Sequence, residues 1–122
     1  MNVTLTDRQA IRSAIEHQLV AFQRDQADTA FTYASPAIQA KFGTPLNFLQ
    51  MVRLAYPVVY RPRSVLFGHL MLVEDAPAQT VFLLDADGTL VQAIYLMEKQ
   101  ADSSWKINGC FLEVSQDSDQ AV

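Results

Sequence analysis

The chain has 122 residues, half of them apolar, with 18% Asp, Glu, Lys and Arg and a formal net charge of −4. This composition excludes disorder as the main state, and it lacks the basic field that neutralises nucleic-acid phosphates. At this length one domain with one substantial core is expected, over residues 1–114, followed by an acidic tail, SQDSDQAV, over residues 115–122 that is expected to be disordered.

Thr6 with Gln9 reads as a capping box that starts a first helix at Asp7, running to about Gln23. Ile11, Ile15, Leu19 and Phe22 fall on one stripe of it, His17 sits beside that stripe, and Arg12 and Glu16 belong to a solvated face. Asp25 reads as the cap of a second helix carrying Ala27, Ala30, Phe31 and Ala34. Ser35-Pro36 pairs an N-cap with the proline favoured at the first helical position, so a third helix begins at Pro36 and stops at Gly43. Thr44-Pro45 repeats the device for a fourth helix with Leu46, Leu49, Val52 and Tyr56 on its stripe, ended by Pro57. Tyr56 to Pro62 reads as a non-helical crossing to a sheet, since each proline biases the residue before it to extended geometry.

Four strands are expected after Arg63: 64–74, 79–86, 89–99 and 105–114, with turns at Asp75-Ala76-Pro77, Asp87-Gly88 and Gln100–Ser103. A two-residue type I′ turn at Asp87-Gly88 sets Leu84 opposite Val91, Phe82 opposite Ala93 and Thr80 opposite Tyr95. By that register Phe82, Leu84, Val91, Ala93, Tyr95 and Met97 share one face, while Val81, Leu83, Leu90, Gln92, Ile94 and Leu96 share the other. His69 is then a lone polar group among Val65, Phe67, Met71 and Val73. Trp105, Ile107, Gly109 and Phe111 alternate with Lys106, Asn108, Cys110 and Leu112.

Helices followed by long antiparallel strands make an α+β fold, with N-terminal helices packed on one strongly curved antiparallel sheet. The order of Ile15, Leu19, Phe22, the Asp25 restart, Tyr33-Ala34-Ser35-Pro36 and Trp105-Lys106-Ile107 resembles the nuclear transport factor 2-like superfamily. That superfamily has a cystatin-like, cone-shaped fold and includes ketosteroid isomerase and SnoaL-like polyketide cyclases. More narrowly, Ala34-Ser35-Pro36-x-Ile38-Gln39-x-x-Phe42, Phe48-x-x-Met51-Val52 and Trp105-x-Ile107-x-Gly109-Cys110-x-Leu112 resemble an uncharacterised bacterial domain family of that type. The resemblance implies a pocket between helices and sheet. It implies little about activity, because the residues that carry it are packing residues.

A pocket lined by some of Phe22, Phe31, Tyr33, Tyr56, Phe67, His69, Gln92 and Trp105 is therefore expected. No phosphate-cradling loop, dinucleotide fingerprint, HExxH or nucleophile elbow occurs, Cys110 is the single cysteine, and the two histidines have no ligand partners at suitable spacing. No cofactor and no metal are expected. The reading that follows is a non-enzymatic dimer binding a small apolar molecule or serving as an interaction module. Against it stands a cofactor-free isomerase, dehydratase or cyclase with His69 or Asp28 as base and a tyrosine or Gln92 as donor. The homodimer contact is expected on the uncovered sheet face, through Phe82, Leu84, Val91, Ala93, Tyr95, Met97, Asn108 and Cys110. The first residues show no basic region followed by an apolar run, and no apolar stretch reaches membrane-spanning length, so a cytoplasmic protein with no membrane partner is expected.

Overall fold

The structure is a computed structural model and describes residues 2–114, so the expected tail lies outside the described residues. Five helical segments come first: α1 (Leu5–Gln23), α2 (Ala27–Thr32), α3 (Pro36–Phe42), α4 (Pro45–Ala55) and α5 (Pro57–Tyr60). Four strands follow: β1 (Ser64–Val73), β2 (Ala76–Leu84), β3 (Leu90–Lys99) and β4 (Trp105–Val114). They form one antiparallel sheet in the order β1-β2-β3-β4. The sheet is left open and carries the helices on one face, the cone-like α+β arrangement that the pattern predicts.

α1 starts two residues earlier than expected. Thr4, and not Thr6, is the N-cap, because Asp7 at the third helical position accepts from the Thr4 N–H at 3.0 Å while Thr4 Oγ1 accepts from the Asp7 N–H at 3.0 Å. Asp7 is also held from the far end of the sheet, accepting from Trp105 Nε1 and Lys99 Nζ, each at 3.2 Å. Its stripe is buried as the spacing predicts, with Ile11 and Ile15 wholly inaccessible. At about 1.5–3 kcal/mol for each such side chain, this stripe is the largest helical contribution to the core.

Asp25 does not cap α2, whose N-cap is Gln26 without a side-chain bond. It sits in the left-handed region at φ 55°, where its carboxylate accepts from the Tyr60 hydroxyl and, at 3.0 Å, from Arg61 Nη2. It thereby ties the α1–α2 corner to α5. That single turn, Pro57–Tyr60, corrects the expectation of an extended crossing: Pro57 takes the first helical position, and Pro62 restricts only Arg61. α3 and α4 are capped as read, Ser35 accepting from Ile38 N and Thr44 from Asn47 N, and Gly43 at φ 79° closes α3.

The hairpin signals are placed differently from the sequence reading. The tight turn between β1 and β2 is Glu74-Asp75, both residues left-handed at φ 51° and 68°, and Ala76 and Pro77 belong to β2. At Asp87-Gly88 only Gly88 is left-handed, at φ 84°. The Asp85 carboxylate accepts from Asp87 N and Thr89 N, the Asp85 N–H donates to Thr89 O, and the resulting loop takes Asp85 to Thr89 out of the ladder. Leu84 therefore pairs with Leu90, Leu83 with Val91, Phe82 with Gln92 and Val81 with Ala93. The register is one residue away from that of a two-residue turn, and it reverses which β2 face meets which β3 face.

The helix-covered face carries Val81 and Leu83 with Val91, Ala93, Tyr95 and Met97, continued by Trp105 and Ile107. These meet Ile11, Ile15, Leu19 and Phe22 of α1 and Phe48 and Val52 of α4 to form the core. Two irregularities interrupt the alternation. One lies between Phe67 and Leu70 in β1, the other at Asn108 in β4, where Leu96 pairs with Gly109 but Met97 with Ile107.

Candidate functional site

Between the helices and the β3–β4 end of the sheet lies a cavity of about 570 Å³, within the range of small-molecule sites. Its walls are Phe22 from α1, Ile38 and Phe42 from α3, Phe48, Met51 and Val52 from α4, and Tyr56 and Val59 around α5. The rings of Phe22 and Phe42 lie 5.8 and 5.7 Å from that of Phe48. The helices that supply these walls, α3 and α4, are each opened by a cap and a proline at the first helical position.

The floor is Tyr95, Ile107 and the β4 irregularity. The extra residue, Asn108, turns the next position over, so that Cys110 pairs with Tyr95 on the covered face. The segment before α3 is stitched to the same place: Ser35 N donates to Ile107 O at 2.9 Å and Ile107 N to Tyr33 O at 2.8 Å. Ser35 Oγ donates to Asn108 Oδ1 at 2.7 Å while accepting from Ile38 N at 3.3 Å, which leaves the Asn108 amide hydrogens unclaimed by Ser35. Gln18 is buried in the wall and donates Nε2 to Ala30 O at 3.1 Å.

Tyr95 is 1% exposed, and its hydroxyl is the one buried side-chain polar atom without a hydrogen-bond partner among the described residues. Its polar neighbour is the Cys110 thiol, a weak acceptor whose placement makes no hydrogen bond of acceptable geometry. Burial raises the Tyr95 phenol well above its ordinary value and pushes the Cys110 thiol up to about 12. The thiol stays protonated at neutral pH and is no nucleophile. Among the described residues Lys41 is the one charged side chain in the lining, which includes no Asp, Glu or His.

Of the residues expected around a pocket, Phe22 and Tyr56 line it. Phe31 packs against Phe48 with rings 5.7 Å apart, Tyr33 stacks on His17 at 5.7 Å, and Phe67 lies under the Arg12 guanidinium at 4.5 Å. Trp105 is buried at the Asp7 end of α1, and Gln92 stands on the uncovered face between Phe82 and Glu113. His69 is exposed, displaced from the expected stripe by the β1 irregularity, and its carbonyl accepts from Thr80 Oγ1 at 2.8 Å and Gln79 Nε2 at 3.4 Å. Asp28 is exposed on α2. Neither expected base reaches the cavity lining.

The expected interface set divides three ways. Val91, Ala93, Tyr95 and Met97 are core residues, Phe82 and Leu84 lie on the uncovered face, and Asn108 and Cys110 line the cavity. Lys41, Phe48 and Met51 escaped the sequence reading of the pocket, although Phe48, Met51 and Val52 share the apolar side of α4. No group of three or more His, Cys, Asp or Glu suited to a metal occurs among the described residues.

Residues 4–120 match the family described as a domain of unknown function (DUF4864). Among curated proteins none matches. A solved structure from Catenulispora acidiphila is similar at a TM-score of 0.55 and 12% identity, covering 93% of this chain and 94% of its own. At that identity the likeness is one of fold alone.

Proposed function

The chain belongs to that family, whose description names no activity, and from its cavity we propose a small cone-fold protein of the nuclear transport factor 2-like type that holds a small, largely apolar molecule. The observation that carries this is a cavity of about 570 Å³ walled by Phe22, Phe42, Phe48, Met51 and Tyr56. A core that served stability alone would be close-packed and leave no space of this size beside those rings. A cofactor-free isomerase needs a base at the substrate, and the described residues of the lining supply no carboxylate and no imidazole. The reading is thus of binding without conversion. No helix among the described residues is long and apolar enough to cross a membrane, and we place the protein in the cytoplasm as a dimer through the uncovered sheet face.

Native mass spectrometry of the purified protein tests the reading. A bound organic molecule is expected, lost on unfolding in organic solvent and lost in Ala55→Trp, where an indole fills the mouth from an exposed lining position. A bare chain mass, together with no chemical-shift change in the lining residues on adding aromatic probes, would overturn it.

A further inference from the structure

In a chain of net charge −4, the described residues of the cavity lining include no acidic group and one cation, Lys41. The Lys41 ammonium lies 5.5 Å from the Phe42 ring centre, which keeps it against the aromatic wall. Asn108 presents amide hydrogens because Ser35 takes its oxygen. At the inner end the Tyr95 hydroxyl has a hydrogen to donate and, among the described residues, only the weakly accepting Cys110 thiol near it, at no hydrogen-bonding geometry. Gln18, whose Nε2 is given to Ala30, leaves one neutral oxygen on the other side of the account. The polar groups are therefore weighted to donors, and the space between them is apolar.

We infer that the cavity takes an amphipathic carboxylic acid: a ring-containing body among Phe22, Phe42, Phe48 and Met51, the carboxylate at the mouth by Lys41 and Asn108, and a carbonyl or ether oxygen at the inner end to accept from Tyr95. This rests on the proposed pocket function and specifies its ligand. A cation is disfavoured because nothing among the described residues of the lining neutralises it. A purely hydrocarbon ligand leaves the Tyr95 hydroxyl unpaired and the Lys41 charge unused. The inner oxygen reaches Tyr95 past the Cys110 side chain, so the thiol turns aside on binding, a movement that a small neutral group makes without losing a strong hydrogen bond.

Three probes separate the components in titrations followed by fluorescence and by amide chemical shifts: acetylnaphthoic acid, isopropylnaphthoic acid and the methyl ester of the first. The acid is expected to bind at least about tenfold more tightly than its ester, the loss of one charge-assisted contact. Lys41→Met should remove that preference, and Arg8→Met, which changes the net charge equally at an exposed position outside the lining, should leave it. The acetyl acid should exceed the isopropyl acid by severalfold, and Tyr95→Phe should equalise them. Equal binding of acid and ester, or an acid preference that survives Lys41→Met, overturns the inference while the binding itself upholds the pocket. An acetyl preference that survives Tyr95→Phe overturns the inner contact. If no probe binds or shifts the lining residues, the pocket reading fails and the inference with it.

Discussion

Tyr95 is the residue whose chemistry its surroundings leave unfinished. A buried hydroxyl without a partner costs about 1–3 kcal/mol relative to a hydrated one, so Tyr95→Phe in the empty protein should leave stability unchanged or raise it within that range, measured by urea unfolding at neutral pH. A loss above about 1 kcal/mol would mean that the hydroxyl is satisfied within the fold. Asp7 is the opposite case, a carboxylate with more donors than it needs. The Thr4 backbone N–H, foremost, then the Thr4 hydroxyl, Trp105 and Lys99 lower its pKa from 3.8 to about 2, against the opposing effect of desolvation. Its folded value lies below its unfolded one, so its contribution to stability is fully present above the unfolded value and is lost as pH falls from 3.8 toward about 2. Acid titrations of unfolding should show a stability decline in that window which Asp7→Asn flattens, the variant being less stable than the parent at pH 7 and converging with it in acid. Parallel curves would remove Asp7 from the acid response.

At the scale of elements, what the sequence made legible was periodicity and capping, and what it hid was the outcome of competition between neighbouring turns. The α1 stripe, the Ser35-Pro36 and Thr44-Pro45 starts and the limits of β4 follow from local chemistry and were readable. The β2–β3 register depended on whether Asp85 would stay in the strand or fold its carboxylate over Asp87 and Thr89, and it does the latter. That slip separated Phe82 and Leu84, on the uncovered face, from Val91, Ala93, Tyr95 and Met97, which are core residues. The cavity floor depended on the irregularity at Asn108, whose signal was weak, a glycine beside an asparagine. The β1 irregularity had the clearer mark. Gly68 lies so close to β2 that a Cβ there would stand 2.4 Å from Thr80 Oγ1 and 2.9 Å from Phe82. Gly68→Ala should therefore destabilise the fold by about 1–3 kcal/mol, the usual cost of overpacking, read as a lower urea midpoint with unchanged slope. An unaltered midpoint would show that β1 moves aside freely. Lys41→Glu belongs to the same scale: it reverses the one charge contributed by α3 to the cavity and should weaken binding of an anionic fluorescent probe such as anilinonaphthalene sulfonate by about tenfold or more, with no change in the far-ultraviolet spectrum.

The whole molecule has helices on one face of its sheet and none described on the other. On that uncovered face Leu66 is 69% and Phe111 58% exposed, beside Leu90, and the half-buried Phe82, Leu84, Ile94 and Leu96 fill the space between them. The observed register brings Leu66 beside Phe82, Leu84 beside Leu90 and Ile94 beside Phe111, with Gln92 standing between Phe82 and Glu113. Soluble monomers rarely expose an apolar patch larger than a few hundred Å², and the low charged fraction of 18% leaves few side chains to divide this one. The proposed two-fold contact would bury it with a single self-complementary surface. Light scattering at micromolar concentration should give about twice the chain mass of 13.6 kDa, and Leu66→Lys or Leu90→Lys, both outside the cavity lining, should shift the species to the monomer with the core intact. The choice of position matters: a charge at Tyr95, which the two-residue turn would have placed on this face, falls in the core and should unfold the chain instead of dissociating it. A parent protein that scatters as a monomer at every concentration would refute the self-contact and leave this face without its proposed occupant.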